Sequence, residues 1–335
     1  VTKSVNFAIF GAAIVAFSVG AVVGGVISPA TFQSLIPAAW LRPSNRASDS
    51  RAIPNDQVGE EIRYGRALIE KTEYYLGPKG TVGQYLGNSM NCQNCHLDAG
   101  TRPFGGSFVR SHSAYPQWRS REGVIITLAD RINLCIQRPH QGRYLPESSR
   151  EMRAILVYIK WLGEIPPDSG TPDEGYSIGD LPPISRAADP TAGWLVYKAQ
   201  CQVCHGENGA GQRTEDGISY LYPPLWGPDS YGIGSSMYRV RKAAAFIKYN
   251  MPYGTVWTNP KLTDEEAFDV AAFINDDRIH PRKIFDISKD YPNIADKPAD
   301  SPFGPFMDSF SEMQHKFGPF KPILKAKKDG QVKHQ

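Results

Sequence analysis

Two pentapeptides constrain this chain more than anything else in it: Cys92-Gln93-Asn94-Cys95-His96 and Cys201-Gln202-Val203-Cys204-His205, both C-x-x-C-H. The spacing has a mechanical reason. Two thiols bond to the two vinyl groups of one haem, and the adjacent imidazole reaches the iron from the same side. A lone C-x-x-C would equally suit a redox pair or half a zinc site. The histidine that follows immediately, twice over, points to two covalently attached haems c, one held by Cys92, Cys95 and His96, the other by Cys201, Cys204 and His205. Of five cysteines, four are then committed, and no disulfide framework is left to build.

The surroundings of the two motifs match. Asp56 to Thr72 and Pro190 to Gln200 have helical patterns leading into them, and Ser149 to Glu164 and Thr263 to Asp276 have helical patterns closing each repeat. The last opens with Thr263 and Glu266 as a capping box. Helix, motif, long loop, distal ligand and closing helix is the plan of a small cytochrome c domain. With 31 glycines and 27 prolines, the 335 residues favour short helices joined by irregular connections over a large sheet. The expected fold is therefore mainly α: two tandem cytochrome c-like domains behind an N-terminal transmembrane helix. Its expected parts are an anchor over 1–29, a linker over 30–55, the first domain over 56–166, an interdomain linker over 167–189, the second domain over 190–282 and a C-terminal arm over 283–335.

The anchor rests on Phe7 to Ile27, an unbroken apolar run of 21 residues, where a bilayer needs about 20. Lys3 favours a cytoplasmic amino terminus, and Gly20 and Gly24 form a small-residue face that another membrane helix could approach. Attachment of c-type haem outside the bacterial inner membrane agrees with that orientation. The expected location is the inner membrane, with the soluble domains in the periplasm. A net charge of +3, from 37 basic and 34 acidic residues, is too small to demand nucleic acid as a partner.

The sixth ligand of each haem should lie ahead of each closing helix. In the second repeat that place holds Met251, with Met237, on a preceding helical pattern, as the competitor. The first repeat has no methionine there and offers Cys135, the leftover cysteine, with His112 and His140 as rivals. A thiolate ligand would lower the potential of haem 1 below that of haem 2, giving electrons a downhill direction. Around Cys135 the basic residues from Leu97 to Leu145 are all arginines: Arg102, Arg110, Arg119, Arg121, Arg131, Arg138 and Arg143. Guanidinium suits planar, multidentate contact with oxyanions. One or two of these should serve haem propionates, leaving others, Arg138 among them, for a small anion beside Cys135.

The segments NCQNCHLDAGTRPF, YPQWRSREGVIITLADRINLCIQR, ESSREMRAILVYIKWL, AAAFIKYNMPYG and FINDDRIHPR, spread over residues 58 to 282, resemble the thiosulfate dehydrogenase family of dihaem cytochromes. The resemblance implies that Cys135 is the thiolate ligand of haem 1 and the site of chemistry, that Arg121 and Arg131 line an anion pocket, and that Met251 ligates haem 2. It further implies coupling of two thiosulfates into tetrathionate, with electrons leaving to a redox partner protein or respiratory complex. Two departures stand out. Arg138-Pro139-His140-Gln141-Gly142 replaces the family's Ser and Asn-Gly, and Asn250 stands where some members carry a lysine. The alternative function is a non-catalytic, membrane-tethered dihaem electron-transfer subunit.

Beyond Arg282 periodicity fades. Phe303-Gly304-Pro305-Phe306 is echoed by Phe317-Gly318-Pro319-Phe320, aromatics in an extended arm expected to wrap back over the protein. The lysine-rich end from Lys325 to Gln335 is expected to be mobile.

Overall fold

The structure, a computed structural model, describes residues 52–166 and 170–332. The expected membrane span and nearly all of the linker after it lie outside these. Among the described residues no helix is long and apolar enough to cross a membrane.

Seven helices of ten residues or more carry the described fold: α1 (Gln57–Glu70), α2 (Leu128–Gln137), α3 (Arg150–Gly163), α4 (Pro190–Gln200), α5 (Val240–Asn250), α6 (Asp264–Ile274) and α7 (Phe320–Val332). Five of their starts follow from side-chain caps. Asp56, Thr127, Ser149, Asp189 and Thr263 each accept a backbone N–H of the first turn, and Thr127/Asp130 and Thr263/Glu266 close full capping boxes. Strand structure is confined to two antiparallel ribbons, β1 (Gln117–Arg119) with β2 (Val124–Ile126), and β3 (Gln212–Arg213) with β4 (Tyr220–Tyr222).

The two repeats are built alike at one decisive place. In the first, α1 crosses α3 at Gly65, where a Cβ would come within 2.1 Å of the Ala154 carbonyl oxygen. In the second, α4 crosses α6 at Gly193, where a Cβ would come within 1.9 Å of the Asp269 carbonyl oxygen. Only glycine lets the backbones approach so closely. Each crossing sits in its own apolar core. One runs from Ile62, Leu68 and Leu76 to Met152, Tyr158 and Leu162, and the other from Tyr197 through Ala244 and Phe268 to Phe273.

A third apolar cluster joins the repeats. It packs Cys95 and Leu97 of the first motif with Tyr231, Met237, Tyr238, Phe246 and Met251 of the second repeat. The segment between the repeats, expected as an interdomain linker, is packed on both sides: Leu181, Ile184 and Ala188 are buried in the second core, and the Gly175 carbonyl accepts from Phe104 N at 2.7 Å. Its Pro, Gly and Asp content reflects turns, which do not preclude burial of the few apolar side chains between them.

The C-terminal end also differs from expectation. From Phe320 to Val332 it forms α7, with Phe320 and Ile323 fully buried in the second core and Lys325 and Lys328 on the exposed side. Apolar side chains at i, i+3 and i+4 (Phe320, Ile323, Leu324) hold the helix, and Pro322 falls in the first turn, where no N–H donor is needed. Phe317 joins the same core, and Phe303 reaches the cluster between the repeats.

Candidate haem sites and the Cys135 pocket

Each motif forms a short turn. Cys92–Asn94 is a 3-10 turn with Asn91 and Asn94 capping one another reciprocally, and Gln202–His205 is a single helical turn directly after α4. None of the four motif cysteines is taken up in a disulfide. Their histidines are oriented alike: His96 Nδ1 lies 2.6 Å from the Gly106 carbonyl and His205 Nδ1 lies 2.8 Å from the Pro223 carbonyl. A carbonyl only accepts, so Nδ1 holds the proton and the Nε2 lone pair is left for a metal. Phe108 stacks on His96 at 4.3 Å, which fixes the ring plane. Buried Nε–H groups of Arg138, Arg241 and Arg282 have no hydrogen-bond partner among the described residues, a demand that haem carboxylates would meet. The donor set fits two haems c.

Arg131 and Cys135 lie four residues apart on α2, hence on one face. The Cys135 thiol is hydrogen-bonded to His96 and close enough to Cys92 and Cys95 for their charges to interact. Burial pushes all these thiols up, to about 11 for Cys92 and about 12 for Cys95. At Cys135 burial acts in the same sense, but Arg131, His96 and Arg138 outweigh it and bring the thiol to about 7. The difference lies in the neighbours. His140 is buried, its pKa lowered to about 4 by burial and by the charge of His96, with Nδ1 3.2 Å from Asn88 Oδ1. His112 stands exposed on the Ser111–Ala114 turn.

The three arginines singled out by sequence part company. Arg131 hydrogen-bonds Tyr115, and its pKa is raised chiefly by Cys135. It forms no ion pair with a carboxylate among the described residues. Arg138 pairs with Glu122 and, at 2.6 Å, with Asp290. Arg121 is turned to Asp290 at 2.7 Å and to the Gly234 carbonyl at 3.1 Å. Sequence reasoning missed Tyr115, Glu122 and Asp290. Glu122 looks like an ordinary surface neighbour of Arg121, and Asp290 lies 152 residues beyond Arg138.

Met251 caps the end of α5 and belongs both to the cluster that contains Cys201 and to the one between the repeats. Met237 shares only the latter, and it sits in a 3-10 turn, Ser236–Tyr238, rather than on the helix expected for it. The Met-x-x-Val spacing straddles the junction between that turn and α5. Asn250, where a lysine was the alternative, is buried and donates to the Phe104 and Phe246 carbonyls at 3.0 and 2.9 Å. It ties the repeats together. The departure after Arg138 does likewise: the Pro139 carbonyl accepts from Gly232 N at 3.1 Å, and Gln141 donates to the Ser230 carbonyl at 3.2 Å.

Both repeats match known families. Residues 86–164 match the SoxA/TsdA, cytochrome c domain family, and residues 191–278 match the Cytochrome c family. Thiosulfate dehydrogenase of Allochromatium vinosum is 35% identical over 77% of this chain and 87% of its own length. The chain belongs to the thiosulfate dehydrogenase family. Enzymes of the same name from Stutzerimonas stutzeri, 34% identical over 67% of this chain and 69% of their protein, and from Psychrobacter arcticus, 33% identical over 77% and 75%, belong to it too. The "as isolated" thiosulfate dehydrogenase (TsdBA) of Marichromatium purpuratum superposes with a TM-score of 0.58 at 33% identity, over 70% of this chain. This chain spans about half, 51%, of that protein. Family membership makes the chain a dihaem cytochrome c oxidoreductase with two covalently bound haems c.

Proposed function

We propose that this oxidoreductase couples two thiosulfates into tetrathionate beside Cys135 and passes the electrons to a redox partner. The observation that carries the reading is that Cys135 and Arg131 share one face of α2, with the Cys135 thiol hydrogen-bonded to His96. His96 and Cys135 would hold haem 1, and His205 and Met251 haem 2. The haems supply two one-electron acceptors, one for each electron of the coupling.

The chain's own residues do the rest. The Cys135 thiolate and the outer sulfur of one thiosulfate form a sulfur–sulfur bond as two electrons leave, giving a Cys135–S–SO3⁻ adduct. A second thiosulfate attacks that outer sulfur; tetrathionate departs and the Cys135 thiolate is restored. A dianion must approach first the Cys135 thiolate and then the anionic adduct, and that repulsion is the chief electrostatic barrier. Arg131 offsets it, and Tyr115 holds the guanidinium in place. The N-terminal apolar run is read as tethering this chemistry to the inner membrane on the periplasmic side.

Anaerobic addition of thiosulfate to the oxidised protein should reduce haem absorbance bands within the dead time of hand mixing, with tetrathionate as the product. Haems that stay oxidised, while dithionite reduces them, would end this reading and leave an electron carrier. For haem 2, Met251→Gly should abolish the sulfur-to-iron charge-transfer band and Met237→Leu should preserve it; the opposite pattern transfers the ligand to Met237.

A further inference from the structure

We propose that Asp290, brought in by the C-terminal arm, is a positioning residue that sets how strongly the arginines beside Cys135 attract a sulfur oxyanion. The inference rests on the thiosulfate reading above. Asp290 lies outside both stretches, 86–164 and 191–278, that match the cytochrome families.

Both carboxylate oxygens are committed. Oδ2 accepts from Arg121 Nε at 2.8 Å, and Oδ1 accepts from Arg138 Nη2 at 2.6 Å. The backbone pins the carboxylate there: Tyr291 N donates to the Arg121 carbonyl at 2.8 Å, and Pro292 packs over Gly123, where a Cβ would come within 2.8 Å of its ring. The Asp290 and Arg138 side chains are each only 10% exposed, and Glu122 12%. Charges so shielded from water act on one another and on their surroundings with little screening.

The charge balance follows. Arg121 and Arg138 face Asp290 and Glu122, with Arg119 a further 4.0 Å from Glu122, three cations against two anions, while Arg131 at Cys135 pairs with no carboxylate among the described residues. Yet Arg138 caps the end of α2 three residues after Cys135, hence on the same side of the helix, so whatever neutralises Arg138 also tempers the field in the pocket. A coupling site admits two dianions and must release a third. Three uncompensated guanidiniums would hold the product; the two carboxylates reduce that hold while keeping the forks in fixed orientation.

The test is Asp290→Asn in the full-length holoprotein, with Asp290→Glu as the conservative control. Asp290→Asn should lower KM for thiosulfate and the inhibition constant for tetrathionate together, about three- to tenfold, and move the haem 1 midpoint potential upward, because losing a nearby negative charge favours the reduced iron. Asp290→Glu should restore the wild-type values. A raised KM, or an unmoved potential with unmoved KM, overturns the proposal and leaves the arm as packing. If haem content falls in Asp290→Asn, Glu122→Gln removes one carboxylate from the same arginine pair without touching the arm and carries the same two outcomes. The potential is measured without turnover, so a wild type inert to thiosulfate would sink the functional reading while the Asp290 inference is still decided by the potential.

Discussion

Cys135→Ala should keep both haems and lose thiosulfate oxidation by about a thousandfold or more, the scale expected when a covalent nucleophile is removed and the rest of a site stays. Haem retention follows from chemistry: attachment uses Cys92, Cys95, Cys201 and Cys204, and none of these depends on Cys135. Electron paramagnetic resonance of the oxidised protein should show a low-spin thiolate signature in the wild type and none in the variant. The replacement ligand is foreseeable. His140 is buried and near enough to His96 for their charges to interact, so the variant should pass to a bis-imidazole spectrum or lose its sixth ligand. An unchanged spectrum in Cys135→Ala would make the cysteine an inert core thiol, which is its ordinary role elsewhere.

How far the sequence led can be judged residue by residue. The four helices flanking the motifs were legible because each begins with a capping side chain and carries an apolar face: Asp56, Ser149, Asp189 and Thr263 stand one residue before the helices they start. The covalent haem residues were legible because bond geometry fixes C-x-x-C-H locally. Cys135 and Met251 could be proposed because an axial ligand must lie between motif and closing helix. What stayed hidden depends on contacts between distant segments. Nothing local distinguishes Arg131 from Arg121; a carboxylate from the arm, 169 residues beyond Arg121, does so in the fold. Helix α7 was missed because four lysines in its sequence suggested solvent, whereas two buried side chains, Phe320 and Ile323, decide the outcome. Gly65 and Gly193 were visible as letters, but their equivalence appears only once both helix crossings are seen.

That distinction among arginines yields the second large effect. Arg131→Lys should cost about 10- to 100-fold in kcat/KM with thiosulfate. An ammonium keeps the charge but loses the planar fork that can bind an oxyanion at two points. A hydrogen bond to a charged group is worth roughly 1.5 to 3 kcal/mol, and about 1.4 kcal/mol corresponds to each tenfold in rate. KM should rise and kcat fall together, since the guanidinium opposes repulsion both when the dianions bind and when they couple. Haem content should be unchanged, because Arg131 takes no part in the C-x-x-C-H motif or in the His96–Gly106 hydrogen bond and lysine keeps the positive charge beside Cys135. Arg121→Lys is the control. Its guanidinium is occupied by Asp290 and the Gly234 carbonyl, so its loss should cost several-fold less than that of Arg131. Equal losses at both positions would mean that substrate displaces Asp290 from Arg121 and that three arginines share the anion. Loss of haem in Arg131→Lys would instead make this arginine part of the haem's own support, and the substrate pocket would have to be sought elsewhere.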